Sequence, residues 1–131
     1  MSEPLIENGQ HIFFSPHADD VILSCGGTIY SLASQGQAVE VIGVFAGIPK
    51  TRRYSAYARQ LHAKWHLRLN AIEERWDEDT RAMHEVGVTT FEHWDYFEAP
   101  YRTNSQGDPL YATNEDLTGE VSTEGTAYSE W

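Results

Sequence analysis

The chain has 131 residues, enough for one domain with a modest core, and its composition is acidic. Its 20 acidic residues outnumber 9 basic ones, which gives a formal net charge of -11. This charge argues against nucleic acid or an anionic membrane as a partner, because both are bound through clustered Lys and Arg. The N-terminal residues lack a signal-peptide pattern, and no apolar run reaches about 18 residues. We therefore expect a cytoplasmic protein without a membrane span.

The first part of the chain has the pattern of a βαβ unit. Residues 11–15 form a short apolar run that Pro16 stops, which predicts a buried strand. Apolar residues recur at helical spacing over residues 28–35, so a helix is predicted there, after the glycine pair and with its cap near Ser24 or Thr28. The nearly continuous apolar stretch 39–45 predicts a second strand, buried on both faces of a parallel sheet. The one cysteine, Cys25, is expected to be a small buried residue.

The middle of the chain predicts two helices and a third strand. Residues 55–86 contain neither Gly nor Pro and are rich in helix formers, with a possible break at Leu69 and Asn70. Gly87 fits a helix C-terminus, and the β-branched and aromatic residues of 89–94 predict a strand. The element order indicates an α/β fold with a Rossmann-like, mostly parallel sheet and flanking helices.

The last part of the chain differs in composition from the rest. Residues 103–131 are dominated by Thr, Ser, Glu, Gly, Asn and Asp, which predicts an irregular or disordered tail after a domain at 1–102. Three predicted strands make a small sheet. We therefore expect that a partner completes the sheet or that the chain is part of a larger domain.

A histidine and two aspartates follow the first predicted strand. Ligands of open α/β proteins bind at the carboxyl ends of such strands, where His17, Asp19 and Asp20 stand. Imidazole and carboxylate together suit a divalent metal, and a catalytic site needs three protein ligands. His17 and Asp20 would be two of them, and Asp19 would remain available as a general base. Alternatively, Asp19 and Asp20 only cap the following helix.

Three blocks of sequence carry a resemblance to a known family. They are SPHADD at residues 15–20 with LSCGGT at 23–28, RWDEDTRA at 75–82 with VGV at 86–88, and WDYFEAPYR at 94–102. In this order the blocks resemble the PIG-L/LmbE family of metal-dependent de-N-acetylases. The resemblance covers residues 11–102 and has no counterpart for the tail.

The resemblance implies an activity and roles for particular residues. The expected reaction is hydrolysis of an N-acetyl group on an acetylated amino sugar or glycoconjugate resembling N-acetylglucosamine. His17 and Asp20 would bind Zn²⁺, with Fe²⁺ or another divalent metal as alternatives, and Asp19 would be the catalytic base. Arg75, Glu98 and Arg102 would contact the substrate. For Arg75, the simpler interpretation is a surface ion pair with Glu78, at i and i+3 of a helix.

The sequence also departs from the family pattern. The family takes its third metal ligand from a histidine in a later block that these residues do not contain, so the C-terminal part of the family domain is expected to be lacking. The residues that could substitute for it are His93 and the pair His62 and His66. Val21 replaces the glutamate that is common in the family.

An incomplete site leaves several interpretations open. The chain could act as a homo-oligomer or with a complementing chain that supplies the missing ligand. It could also be a non-catalytic binding or assembly module of the same family. A third interpretation is a Rossmann-like nucleotide-binding domain in which the aspartates serve only as caps.

Overall fold

The computed structural model describes residues 10–120, which form two compact units. The first unit contains residues 10–46 and 75–95, and the second contains residues 47–74 and 96–120. The elements are β1 (Gln10–Ser15), α1 (Asp20–Ser34), β2 (Ala38–Gly43), α2 (Ala56–Lys64), α3 (Ala71–Glu85), β3 (Thr90–His93), a 3₁₀ turn (Ala99–Tyr101) and α4 (Asn114–Thr118). In the described part of the chain, each helix is too short or too polar to traverse a lipid bilayer.

The first unit is built on a parallel sheet with the strand order β1-β2-β3. Ser15 of β1 pairs with Gly43 of β2, which pairs in turn with His93 of β3. The three strands therefore end at the same edge of the sheet. The predicted α/β fold with a parallel sheet and flanking helices is confirmed.

One face of this sheet carries the hydrophobic core. Its buried members come from α1, β2, α3 and the segment before β3, namely Val21, Ile29, Val39, Val41, Met83 and Val88. Burying each such side chain contributes about 1.5–3 kcal/mol, which makes this cluster the main source of stability in the unit. On the opposite face, Ile12 is 49% exposed and Phe14 is 57% exposed. The predicted burial of β2 on both faces is confirmed, since Val41 and Ile42 are both buried, whereas β1, which was predicted as a buried strand, is exposed on one face.

The first helix begins earlier than the sequence predicted. It starts at Asp20 rather than near Thr28, so Gly26 and Gly27 lie in its middle and do not open it. Val21, Ile29 and Leu32 recur on its core-facing side, and Cys25 packs beside them, partly buried. Burial of that side offsets the roughly 1 kcal/mol that each helical glycine costs relative to alanine. The glycine pair was wrongly interpreted as a helix start.

The second unit contains the predicted break between helices and part of the predicted tail. Residues 65–70 separate α2 from α3, which includes the predicted break at Leu69 and Asn70. The tail is not wholly irregular, because Thr113 and Asp116 form a capping box at the start of α4. Residues 121–131 of the predicted tail lie outside the described residues. The division into domains at residue 102 stays a prediction.

We expect Gly87→Ala to lower the free energy of unfolding by roughly 2–4 kcal/mol. The substitution would strain the left-handed backbone at this position and make the added methyl group clash with Ala33. Gly87 has a φ of +86°, and a Cβ added there would lie 2.9 Å from the Cβ of Ala33. Gly36→Ala is the matched control, since Gly36 has a φ of +75° with nothing within 4 Å of the added Cβ. Urea unfolding should show a smaller loss for Gly36→Ala, and equal losses would contradict the predicted clash.

Candidate active site

Ser15 fixes the turn that joins β1 to α1. Its side chain is fully buried. The Ser15 hydroxyl donates to the His17 carbonyl at 2.8 Å and accepts from the Val21 N–H at 3.2 Å. The hydroxyl therefore satisfies one backbone group on each side of the turn. This leaves His17, Asp19 and Asp20 at the carboxyl end of the sheet on a turn of fixed shape.

His17 and Asp20 converge within this turn. Oδ2 of Asp20 accepts a hydrogen bond from the His17 N–H at 3.0 Å and lies 3.3 Å from the ring Nδ1 of His17. The two side chains are 49% and 46% exposed, so an ion can reach them from solvent. Two ligands of a tetrahedral zinc ion, each about 2.1 Å from it, lie about 3.4 Å apart. The donor atoms of His17 and Asp20 therefore fit as two ligands of such an ion.

Asp19 stands at the start of α1 but does not cap it with its side chain. Its backbone is left-handed, with φ 75° and ψ -20°, and its carboxylate makes no capping hydrogen bond. The capping interpretation is therefore wrong for Asp19. Asp20 lies in the first helical turn, where a carboxylate is favoured by the helix dipole, but its Oδ2 bonds to the N–H of His17. The Asp19 carboxylate is thus left out of the pairing between its two neighbours.

Asp79 of α3 contacts the candidate site, and the sequence analysis assigned it no role. It is 2% exposed, and its Oδ1 accepts a hydrogen bond from the Asp19 N–H at 3.2 Å. Burial raises the pKa of Asp79, while the hydrogen bond from Asp19 and the positive charge of Arg75 act in the opposite direction. Asp79 recurs at helical spacing with Trp76 and Met83, which places this aspartate on the apolar side of α3. This periodicity is the sequence feature that could have identified Asp79 as a buried residue.

The predicted substrate-binding residues are divided between the two units. Arg75 lies in the first unit, close enough for its charge to act on Asp79. Glu98 and Arg102 belong to the second unit. Glu98 is buried directly before the 3₁₀ turn, and Nε of Arg102 donates to the Phe97 carbonyl at 2.9 Å. The substrate-binding roles of these three residues stay predictions.

The candidate histidines do not join His17 and Asp20 in a metal cluster. His62 is buried, and its Nε2 lies 2.8 Å from the Tyr101 hydroxyl, while His66 is exposed in a left-handed turn. His93 stacks on Trp76 with ring centroids 3.9 Å apart. Within residues 10–120, no three His, Cys, Asp or Glu side chains are grouped to hold a metal ion. The geometry therefore offers two converging ligands, His17 and Asp20.

The burial of His93 predicts a loss of stability in acid. Desolvation lowers the pKa of His93, and its buried Nε2 has no hydrogen-bond partner among residues 10–120. The unfolded chain, with a histidine pKa of about 6.5, then binds more protons than the folded chain. The stabilisation is present above that pKa and is lost as the pH falls below it. Urea unfolding of the wild type should show this decrease between pH 7.5 and 5.5.

Two variants separate this effect from the titration of other groups. His93→Phe keeps a ring against Trp76 and removes the titrating nitrogen, so its decrease should be smaller. His84→Ala, at an exposed position of α3, should retain the wild-type decrease. An unchanged decrease in His93→Phe would show that other groups cause the acid sensitivity.

Comparison with known proteins confirms the resemblance seen in the sequence. The family model for PIG-L, GlcNAc-PI de-N-acetylase, matches residues 12–124. A 2'-N-acetylparomamine deacetylase from Niallia circulans is 36% identical over 120 residues, which cover 82% of this chain and 43% of that protein. The chain thus spans less than half the length of this relative.

Solved structures of deacetylases share the fold. The zinc-inhibited form of teicoplanin deacetylase has a TM-score of 0.75 at 32% identity, over 82% of this chain and 40% of the other. The deacetylase of the A40926 pseudoaglycone has a TM-score of 0.67 at 32% identity, over 76% of this chain and 41% of the other. The parallel sheet, the turn after β1 and the family match agree: the chain belongs to the PIG-L family of GlcNAc-PI de-N-acetylases.

Proposed function

We propose that this protein takes part in metal-dependent removal of the acetyl group from an N-acetylated amino sugar. One observation carries the proposal: His17 and Asp20 converge as a pair of potential metal ligands, while the carboxylate of Asp19 between them is left unused. The substrate class comes from the relatives, whose names describe deacetylation of 2'-N-acetylparomamine and of teicoplanin. Removal of an acetyl group is common to these names and the family description, and an N-acetyl group is named both in 2'-N-acetylparomamine and in GlcNAc-PI de-N-acetylase.

His17 and Asp20 would hold the metal, which is Zn²⁺ or, alternatively, Fe²⁺ or another divalent ion. The ion would supply Lewis acidity and stabilise negative charge on the acetamide oxygen. Asp19 is free to accept a proton from a water molecule as that water attacks the acetamide carbon. The C–N bond then breaks, and the proton passes from Asp19 to the leaving nitrogen. The products are acetate and the free amine of the sugar.

The remaining predicted residues would recognise the sugar. Arg75, on the same unit as His17, can donate several hydrogen bonds in a fixed planar arrangement to sugar hydroxyls. Glu98 and Arg102 are likewise proposed to contact the substrate. Replacing Glu98 or Arg102 should therefore raise KM more than it lowers kcat, if these residues act on binding alone.

We propose that a second copy of the chain or a complementing chain supplies a third metal ligand. The alternative function is that of a non-catalytic binding or assembly module. The observation that favours it is that two donors converge among residues 10–120, whereas catalytic zinc sites use three protein ligands. The nucleotide-binding alternative has less support, because Gly26 and Gly27 lie inside α1 and not at its start.

The test is amine release by the purified protein with an N-acetylated amino sugar such as N-acetylparomamine. Zinc-loaded protein should release one acetate for each amine, and removal of the metal with a chelator should stop the reaction until zinc is restored. A gel-filtration profile taken with the active fraction reports whether a dimer carries the activity. Binding of zinc and sugar without any amine release would contradict the enzymatic proposal and support the binding module.

A further inference from the structure

The backbone of Asp19 is held in an uncommon conformation. A non-glycine residue in the left-handed region is strained, although aspartate tolerates it better than most residues. An N-cap aspartate usually offsets its cost by accepting a hydrogen bond from the helix, and the Asp19 side chain makes no such bond. Interactions outside the side chain of Asp19 must therefore stabilise this conformation.

Both peptide groups that flank the Cα of Asp19 are fixed by hydrogen bonds. On the N-terminal side, the Asp19 N–H donates to Oδ1 of Asp79 at 3.2 Å. On the C-terminal side, the Leu23 N–H donates to the Asp19 carbonyl at 2.9 Å. The orientations of the two peptide groups set φ and ψ, so together they set the direction in which the Asp19 side chain leaves the backbone. The bond to Asp79 spans 60 residues and ties this turn to α3.

The burial of Asp79 makes this bond unusual. A carboxylate that is 2% exposed is costly to keep in a folded protein, and a hydrogen bond from an N–H to a charged oxygen recovers part of that cost. An apolar residue at the same position of α3 would pack beside Met83 without this cost. Oδ1 of Asp79 therefore serves a purpose other than packing, and the group it contacts is the backbone of Asp19.

We propose that Asp79 is a positioning residue, which acts through the Asp19 N–H to fix the direction of the Asp19 carboxylate relative to His17 and Asp20. The inference rests on the proposed function of Asp19 as the base. Without the bond, the turn can relax towards ordinary helical φ, and the Asp19 side chain then swings relative to its neighbours. The effect should appear in the proton-transfer step and not in substrate binding.

Two substitutions separate the hydrogen bond from the packing and the charge. Asp79→Asn keeps an oxygen acceptor without the charge, and Asp79→Leu has a similar size without an acceptor. We expect kcat for amine release to fall at least tenfold in Asp79→Leu with KM nearly unchanged, and to stay within about threefold of the wild type in Asp79→Asn. The zinc affinity of both variants should match that of the wild type.

A second measurement does not depend on activity. Hydrogen exchange of the Asp19 amide, followed by NMR, should be slow in the wild type and in Asp79→Asn and faster in Asp79→Leu. If Asp79→Leu does not fold, the wild-type measurement is sufficient by itself, because fast exchange of the Asp19 amide in the wild type would overturn the inference. An unchanged kcat in Asp79→Leu, or equal losses in both variants, would also overturn it. Absence of amine release from the wild type would instead refute the proposed function, and the positioning role with it.

Discussion

Replacing Asp19 by asparagine should lower kcat for amine release by about 10²–10⁴, the range that a positioned general base contributes. Asparagine has nearly the same size and tolerates left-handed φ, so the turn and the bond from its N–H to Asp79 can persist. The amide oxygen cannot accept a proton from water at neutral pH. Because Asp19 is left out of the pair formed by His17 and Asp20, zinc affinity should change little. Steady-state kinetics and calorimetric zinc titration measure both quantities.

Asp77→Asn is the matched control for this substitution. Asp77 is exposed on α3 and loses the same charge, so a general electrostatic effect would appear in both variants. We expect wild-type kcat in the control. A full rate in Asp19→Asn would exclude Asp19 as the base, and a loss of zinc affinity equal to the loss of rate would indicate that Asp19 is a ligand instead.

The fold could be predicted because its elements depend on local patterns. The β-branched run of β2 and the apolar periodicity of α1 reflect burial against neighbours within the same βαβ unit. The start of α1 could not be predicted from such local patterns. It depends on the left-handed turn at Asp19 and on the Ser15 hydroxyl, which bonds to backbone groups on both sides of that turn. The low helix propensity of Gly26 and Gly27 favoured a predicted helix start at Thr28, eight residues after the observed start at Asp20.

The candidate site was predictable as far as its residues are neighbours in sequence. The turn that brings Asp20 onto His17 spans three residues, and the order of the motif already contains it. Asp79 was different, because its contact with Asp19 spans 60 residues and arises when α3 packs on the sheet. An aspartate at an apolar position of an amphipathic helix indicates a buried partner without identifying it. Identifying the partner required the structure.

Zinc binding should depend on His17 and Asp20 together. We expect His17→Ala and Asp20→Ala each to lower zinc affinity by more than about 100-fold, since groups that only orient a metal ligand already contribute 10–100-fold. Calorimetric titration of the purified protein with zinc measures this. His84→Ala removes an exposed imidazole from α3 and should bind zinc like the wild type.

The double variant tests whether the two side chains share one ion. If they are ligands of the same zinc, the losses will not add, because removing one ligand already destroys the site and leaves the other little to contribute. His17→Ala combined with Asp20→Ala should then bind zinc about as weakly as either single variant. If the wild type instead binds two zinc ions and each single variant loses one of them, the two side chains belong to independent sites, and the 3.3 Å approach of Nδ1 to Oδ2 would be only a hydrogen bond within the turn. Such a result would remove the shared metal site from the proposed reaction while leaving the family assignment intact.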